Sequence, residues 1–288
     1  MFLSYTAISR VLDNGDIIDY CPRKIYWTVV NPKYSISKKV FAEGNYFESQ
    51  CIGYGRDGNS VNDLPRHKTT GRKLITQKRI DEQVMTFKKE AARRKLIHNE
   101  INTQIPYYFT WEEDPRIVIR SHPDIILSPF VSDEQGEILS SIDLKLTADL
   151  DNDYGPYQWA EPERRDLTQG FLYSYGLLYR FDFELNDKYN PGNHLRELFT
   201  EKVMMYLDSG AYQFIYWIFD HKPPLENKIV SVEMDQEKIK FLNETIRKTL
   251  EIYRELHRMN YPTNPKYELC RDCPIAKKCK DYTNTQSL

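Results

Sequence analysis

The chain is poor in cysteine, with five in 288 residues, and carries almost no net charge, −2 with histidine neutral. Its longest strongly apolar run, Phe214 to Phe219, is far short of the roughly 20 residues that a membrane-spanning helix needs. No early stretch joins a basic end to an apolar core of signal-peptide length, so a cytoplasmic, soluble protein without a membrane partner is expected. No G-x-x-x-x-G-K-[ST] occurs, which excludes an ATP motor within this chain. The near-balance of charge excludes a uniformly basic protein but not a local field. Basic clusters stand at Lys88, Lys89, Arg93, Arg94 and Lys95, and at Lys277, Lys278 and Lys280.

What the chain does have is the composition of an ordinary globular protein: 40% apolar, 28% charged, 12 Gly, 15 Pro and 21 Tyr. At this length a core forms without disulfide support, so the cysteines are not needed for stability. Three of them crowd into "CRDCPIAKKC" at 270–279. In a reducing compartment, clustered thiols hold a metal more often than they pair.

Residues 35–51 and 77–101 read as helices, the second with Val84, Phe87, Ala91 and Leu96 as its apolar positions. The Gly-, Asn- and Asp-rich stretch between them, 53–71, reads as a surface loop. Its "GYGRDG" resembles a dinucleotide fingerprint, but it lacks the preceding strand and following helix that the fingerprint requires. From Ile105 to Thr147, short segments rich in Ile, Val and aromatics predict consecutive antiparallel strands. A helix is expected over 160–180, with Leu167, Phe171, Ser174 and Leu178 along its apolar side. "KVMMYLD", "QFIYWIFD" and "KIVSVEM" are expected as strands. The 235–259 segment is expected as a helix, with Ile239, Leu242, Ile246, Leu250, Tyr253 and Leu256 at spacings of three and four. The result is a mixed α/β chain with a cysteine-bearing tail.

Two short motifs carry the chemistry. Strand residues two apart point the same way, so Asp143 and Lys145 in "IDLKL" share a face, and Asp124 of "HPD" joins them if its strand is a neighbour. Two carboxylates with one ammonium on a sheet face are costly unless something cationic lies between the acids. Mg2+ or Mn2+ suits such oxygen donors, and the chemistry that follows is phosphodiester hydrolysis. Taken alone, a D-x-K triplet is usually just a solvent-facing pair, because Asp and Lys are common surface residues.

"PD" at 123–124 and "DLK" at 143–145 resemble the PD-(D/E)XK nucleases, and "QGFLY" resembles the Q-x-x-x-Y signature of their RecB-type branch. The closest likeness in kind is to members with an iron-sulfur cluster, the CRISPR-associated "Cas four" exonucleases and the AddB nuclease domain. The resemblance implies a restriction-endonuclease-like core, a mixed central sheet flanked by helices. The whole of 1–288 is expected as one nuclease domain, with the core at about 77–260 and a helical cluster region at 1–51 and 261–282. It implies metal ligands at Asp124, Asp143 and the carbonyl of Leu144, and Lys145 orienting the attacking water. Gln169 and Tyr173, one helical turn apart, would support the site and contact DNA. The family offers a further ligand in a G-x-x-x-H pattern. Here Gly44 is followed four residues later by Glu48, a carboxylate that suits the same ions. His98 and His122 are competing ligand candidates, each weaker than the carboxylates.

The same resemblance implies a 4Fe-4S cluster held by Cys21, Cys270, Cys273 and Cys279, with Pro22 and Pro274 following two of the ligands. Four thiolates would clasp the N-terminal region to the tail. Zinc is the competing ion, although zinc modules usually present two C-x2-C knuckles and only one occurs here. Cys51 is expected to be a small buried apolar residue. Arg23, Lys24 and the 277–280 cluster would draw single-stranded DNA toward the site through its phosphates. Residues 52–76 and 181–201 have no counterpart in the family. The expected role is a DNA exonuclease acting on single strands or ends, in CRISPR pre-spacer processing or in recombination and repair. CRISPR integrase proteins or a helicase would be its partners. The alternative is a catalytically inactive iron-sulfur or zinc DNA-binding adaptor in a larger nucleic-acid-processing complex.

Overall fold

The computed structural model describes residues 2–32, 39–53, 64, 74–151, 159–264, 270, 273–274 and 279. The loop read at 53–71 and the Lys277 to Lys280 cluster therefore lie almost wholly outside the described residues. The chain divides into two compact units: Lys39–Asp235 with Met1–Phe2, and Leu3–Lys38 with Gln236–Leu288. In chain order the elements are β1 (Phe2–Ser4), α1 (Tyr5–Ile8), β2 (Leu12–Asp13), β3 (Asp16–Ile17), α2 (Pro22–Ile25), α3 (Lys39–Ile52) and α4 (Ile75–Arg93). Next come β4 (Tyr107–Thr110), β5 (Val118–Ser121), β6 (Ile125–Ser132), β7 (Gly136–Thr147), α5 (Thr168–Tyr179), α6 (Phe183–Tyr189) and α7 (Leu195–Leu198). The chain continues through α8 (Glu201–Asp208), β8 (Tyr212–Asp220), β9 (Asn227–Val232) and α9 (Gln236–Arg258). Among the described residues no helix is long and apolar enough to cross a membrane.

The larger unit is a mixed α/β structure built on a four-stranded sheet in the order β6-β7-β8-β9. β6 and β7 form an antiparallel hairpin, β7 and β8 run parallel, and β9 returns antiparallel to β8. Parallel pairing forces a long crossover, which α5 to α8 supply. β8 is buried at every position, as its unbroken "YQFIYWIFD" demands. On one side α3 and α4 contribute Phe47, Ile80 and Phe87 to a core that also holds Ile142, Trp217 and Phe219. The Gln83 amide pins α4 to the β8–β9 turn, donating to the carbonyls of Asp220 at 2.7 Å and Glu226 at 2.8 Å. β4 and β5 pair antiparallel in a separate sheet.

Several expectations need correction. "KVMMYLD" is helical, within α8, where Thr200 caps the first turn by accepting from the Val203 N–H. The apolar run is amphipathic on a helical period, and none of its residues is buried. The expected helix over 160–180 begins only at Thr168, after a single 3-10 turn at Pro162–Arg164. It has no single apolar side, because nine of its residues are buried, Gln169, Gly170, Tyr173 and Gly176 among them. The second predicted helix stops at Arg93. The 99–104 stretch is instead a loop tied by asparagines, with Asn102 Nδ2 donating to the Ile97 carbonyl at 2.8 Å. Arg93 and Arg94 are not a free basic patch: both pair with Asp133, and Arg94 is buried over the Phe130 ring.

In the smaller unit, β2 and β3 form a hairpin whose turn is Asn14 (φ 48) and Gly15 (φ 82). Two successive left-handed residues are what a tight hairpin of this twist demands, and Asn-Gly is the sequence that supplies them. α9 packs over this end of the unit: Lys248 Nζ donates to the Gly15 carbonyl at 2.6 Å and Tyr253 Oη to the Ala7 carbonyl at 3.1 Å. The chain leaving α9 runs back beside residues 20–23. Arg23 N donates to the Pro262 carbonyl at 3.1 Å, and Asn264 Nδ2 to the Tyr20 carbonyl at 2.9 Å.

α5 sits closer to its neighbours than side chains normally allow, and glycine makes this possible. A Cβ on Gly176 would overlap the Phe109 ring, and one on Gly170 would fall 3.0 Å from Phe214 and 3.3 Å from Tyr216. Gly176→Ala is therefore expected to destabilise the protein by about 1–3 kcal/mol, as overpacking does. Urea unfolding checks this, and unchanged stability would mean that the helix can shift freely.

Candidate active site

The acidic and basic residues picked out by the motifs converge within the larger unit. Asp124 immediately precedes β6, Asp143 and Lys145 lie on β7, Gln169 and Tyr173 lie on α5, and Glu48 lies on α3. Asp124 and Asp143 are fully buried and Glu48 nearly so, at 8% exposure. Buried carboxylates demand specific partners.

Each acid has them. Asp143 Oδ2 pairs with the Lys145 ammonium two residues along the same strand face. The Gln169 amide holds both members of this pair. Its Nε2 donates to Asp143 Oδ1 at 3.2 Å, and its Oε1 accepts from Lys145 Nζ at 3.3 Å. Gln169 Nε2 also donates to Tyr173 Oη at 3.2 Å, across one helical turn. The Tyr173 carbonyl accepts from Tyr107 Oη, which ties α5 to β4.

Asp124 is held from a different direction. Its Oδ2 accepts from the Leu144 N–H at 2.6 Å, directly between Asp143 and Lys145. A bulge makes room for this contact. The β6–β7 register shifts between Ile125 and Ser128, and Leu127 takes φ 51, a left-handed conformation rare for a residue with a branched side chain. Glu48 joins through Gln104, whose Nε2 donates to Glu48 Oε1 at 2.5 Å and to Asp124 Oδ1 at 3.0 Å.

Sequence reasoning missed two of these residues. Gln104 belongs to no motif. It stands in a loop, and only its position just ahead of β4 and the "HPD" segment could have drawn notice. Tyr216 is the β8 partner of Asp143 in the ladder. Its Oη accepts from the Gly170 N–H at 2.8 Å, and Lys145 Nζ lies 5.8 Å from its ring centre. In the sequence it looked like one more aromatic in a buried strand. The two histidine candidates take other parts. His122 Nε2 donates to the Gln104 carbonyl at 2.9 Å. His98 packs its ring on Phe87, where burial pulls its pKa down.

In the smaller unit, Cys21 stands just ahead of α2, with Pro22 in the first turn, and Cys273 N donates to the Cys270 carbonyl at 3.0 Å. Burial pushes the Cys270 thiol up. Cys21, Cys273 and Cys279 push it further the same way, while Lys24 opposes them. Cys270 therefore lies near enough to the other three cysteines to feel their charge. Cys51 is buried in the other unit, and burial raises its pKa well above the usual thiol range.

Among the described residues, no group of three or more His, Cys, Asp or Glu side chains stands ready arranged around a metal ion. The chemistry of the two donor sets nevertheless fits. Glu48, Asp124 and Asp143 offer only hard carboxylate oxygens, suited to Mg2+ or Mn2+. The four cysteines offer only sulfur, suited to zinc or an iron-sulfur cluster.

No family model matches the chain, and no curated protein does. Among solved structures, the fold is similar to that of a protein from Eubacterium rectale named "Putative exonuclease", whose crystal structure is at 2.19 Å. The TM-score is 0.50 at 12% identity, covering 94% of this chain and 86% of that one. A second structure, named SSO0001, gives a TM-score of 0.35 at 9% identity over 98% of this chain and 87% of that one. Its likeness is too slight to argue from. The first shows a similar mixed α/β fold and goes no further than the fold.

The Asp143–Lys145 pair is asymmetric, with Asp143 fully buried and the Lys145 side chain 27% exposed. Lys145→Met, which strands a buried carboxylate, is expected to cost about 2 kcal/mol or more in EDTA, and Asp143→Asn clearly less. Equal costs in denaturant unfolding would contradict the pairing described.

Proposed function

We propose that the chain is a divalent-metal-dependent deoxyribonuclease of the RecB-type PD-(D/E)XK kind, acting as an exonuclease on single-stranded DNA or DNA ends. The observation that carries this reading is the Asp143–Lys145 ion pair held by Gln169 beside the buried Asp124. Four residues from three separate segments meet in one buried polar group, which supports this reading. The likeness in fold to a protein named an exonuclease supports the same reading.

Glu48, Asp124, Asp143 and the Leu144 carbonyl would hold Mg2+ or Mn2+. A bound cation would polarise the phosphoryl oxygen and lower the pKa of a water. Lys145 is a cation of the site that reaches solvent, its side chain 27% exposed. With its ammonium fixed by Asp143 and Gln169, its remaining N–H orients the attacking water or meets charge growing on the phosphate. Gln169 fixes the angle of that ammonium, and Tyr173 fixes Gln169. The family resemblance gives this pair a DNA contact as well. Arg23 and Lys24 would neutralise phosphates without reading bases.

Cys21, Cys270, Cys273 and Cys279 would carry a 4Fe-4S cluster, supported by the influence of the other three on Cys270 and by the C-x2-C-x5-C spacing of Cys270, Cys273 and Cys279. Ligation would clasp the segment before α2 to the tail. The biological setting is CRISPR pre-spacer processing or recombination and repair, alongside an integrase or a helicase.

Lys145→Ala is expected to lower Mn2+-dependent cleavage of single-stranded DNA about 100-fold or more, with DNA binding and iron content unchanged. Undiminished cleavage would remove the assignment, and a wild-type chain that binds DNA without cutting it in Mn2+ would make the protein an adaptor. Anaerobically purified protein is expected to be brown, with thiolate-to-iron charge-transfer absorption. A colourless sample carrying one equivalent of zinc would overturn the cluster.

A further inference from the structure

One polar side chain at this site has no part in the reaction proposed above. Gln104 is held in the left-handed region at φ 53, unusual for a residue with a long side chain. Its backbone is fixed on both sides: the N–H donates to the Asp124 carbonyl at 2.9 Å, and its carbonyl accepts from His122 Nε2 at 2.9 Å. The result is an amide nitrogen aimed between two carboxylates, 2.5 Å from Glu48 Oε1 and 3.0 Å from Asp124 Oδ1. The amide oxygen accepts no hydrogen bond although it is buried. A buried acceptor left without a donor is costly, so the amide's place follows from what its nitrogen does.

A group that presents two N–H bonds to two facing anionic oxygens does what a cation would do there. It offsets their repulsion and holds them at the spacing of a shared ligand. We propose that Gln104 is a built-in stand-in for the metal: it keeps Glu48 and Asp124 together in the metal-free protein and must be displaced for the ion to bind. The inference rests on the metal-site reading above and names a positioning residue within it. Loading then carries a cost set by two charge-assisted hydrogen bonds. The gain is a site that holds together without an ion.

This role has a signature that a merely structural role would not produce. Removing a structural residue weakens the fold and the metal site together, whereas removing a competitor weakens the metal-free fold and tightens metal binding. The test is calorimetric titration of the full chain with MnCl2, alongside thermal unfolding in EDTA, for wild type, Q104M and D124N. Methionine keeps the length and removes the donor, and Q104A serves if Q104M does not fold. The expected result is a lower unfolding midpoint in EDTA for Q104M. Its Mn2+ affinity is expected to be about tenfold or more tighter than wild type, because neither charge-assisted hydrogen bond has to be broken. Mn2+ affinity equal to or weaker than wild type overturns the stand-in while leaving the metal site intact, provided that wild type binds and D124N does not. A wild type that takes up no Mn2+ overturns both readings.

Discussion

Everything in the larger unit depends on keeping acidic side chains together out of water. Glu48, Asp124 and Asp143 are buried on a sheet and a helix that also carry an apolar core. The protein offsets the cost of desolvation by several means. An ammonium serves Asp143, a backbone N–H exposed by a strand bulge serves Asp124, and the Gln104 amide serves Asp124 and Glu48 together. The close approach of α5 serves the same end, because only glycine at 170 and 176 lets Gln169 come within reach of both Asp143 and Lys145.

Such an arrangement is poised. A buried carboxylate group assembled this densely is stable only while its partners are in place, and each partner is placed by a separate element: β7 for Lys145, α5 for Gln169, the loop before β4 for Gln104. A ligand that brings positive charge to the acids would have to replace some of these contacts. The nuclease proposed above would need that property, since metal and phosphate would have to enter and product leave.

How much could be read beforehand differed by element. Strands β4 to β9 and helix α9 were legible because their periods were unambiguous, as in the three-and-four spacing of Leu242, Ile246, Leu250 and Tyr253. "KVMMYLD" was misread because a short apolar run satisfies a strand and a helix equally. The stripe assigned to α5 was wrong because a helix buried on most sides has no stripe. Within the site, Asp124, Asp143, Lys145, Gln169 and Tyr173 were visible as motif letters. Gln104 and Tyr216 were not, because their roles come from the β-bulge, the loop conformation and the parallel register, none of which leaves a local pattern. In the smaller unit the Asn14-Gly15 dipeptide is itself a hairpin signal, and the chain turns there. The return of the chain after α9 past residues 20–23 gives physical form to the cysteine spacing, since Pro262 and Asn264 bind the backbone on either side of Cys21.

The most direct test of the central claim is where a cation goes. Crystals of the protein grown with MnCl2, with diffraction recorded at the manganese absorption edge, would locate the ion by its anomalous scattering. The account predicts a peak bounded by Glu48, Asp124 and Asp143, with the Gln104 amide turned away from its position between the first two. A peak elsewhere, or none while the amide still bridges Glu48 and Asp124 at saturating Mn2+, would contradict it.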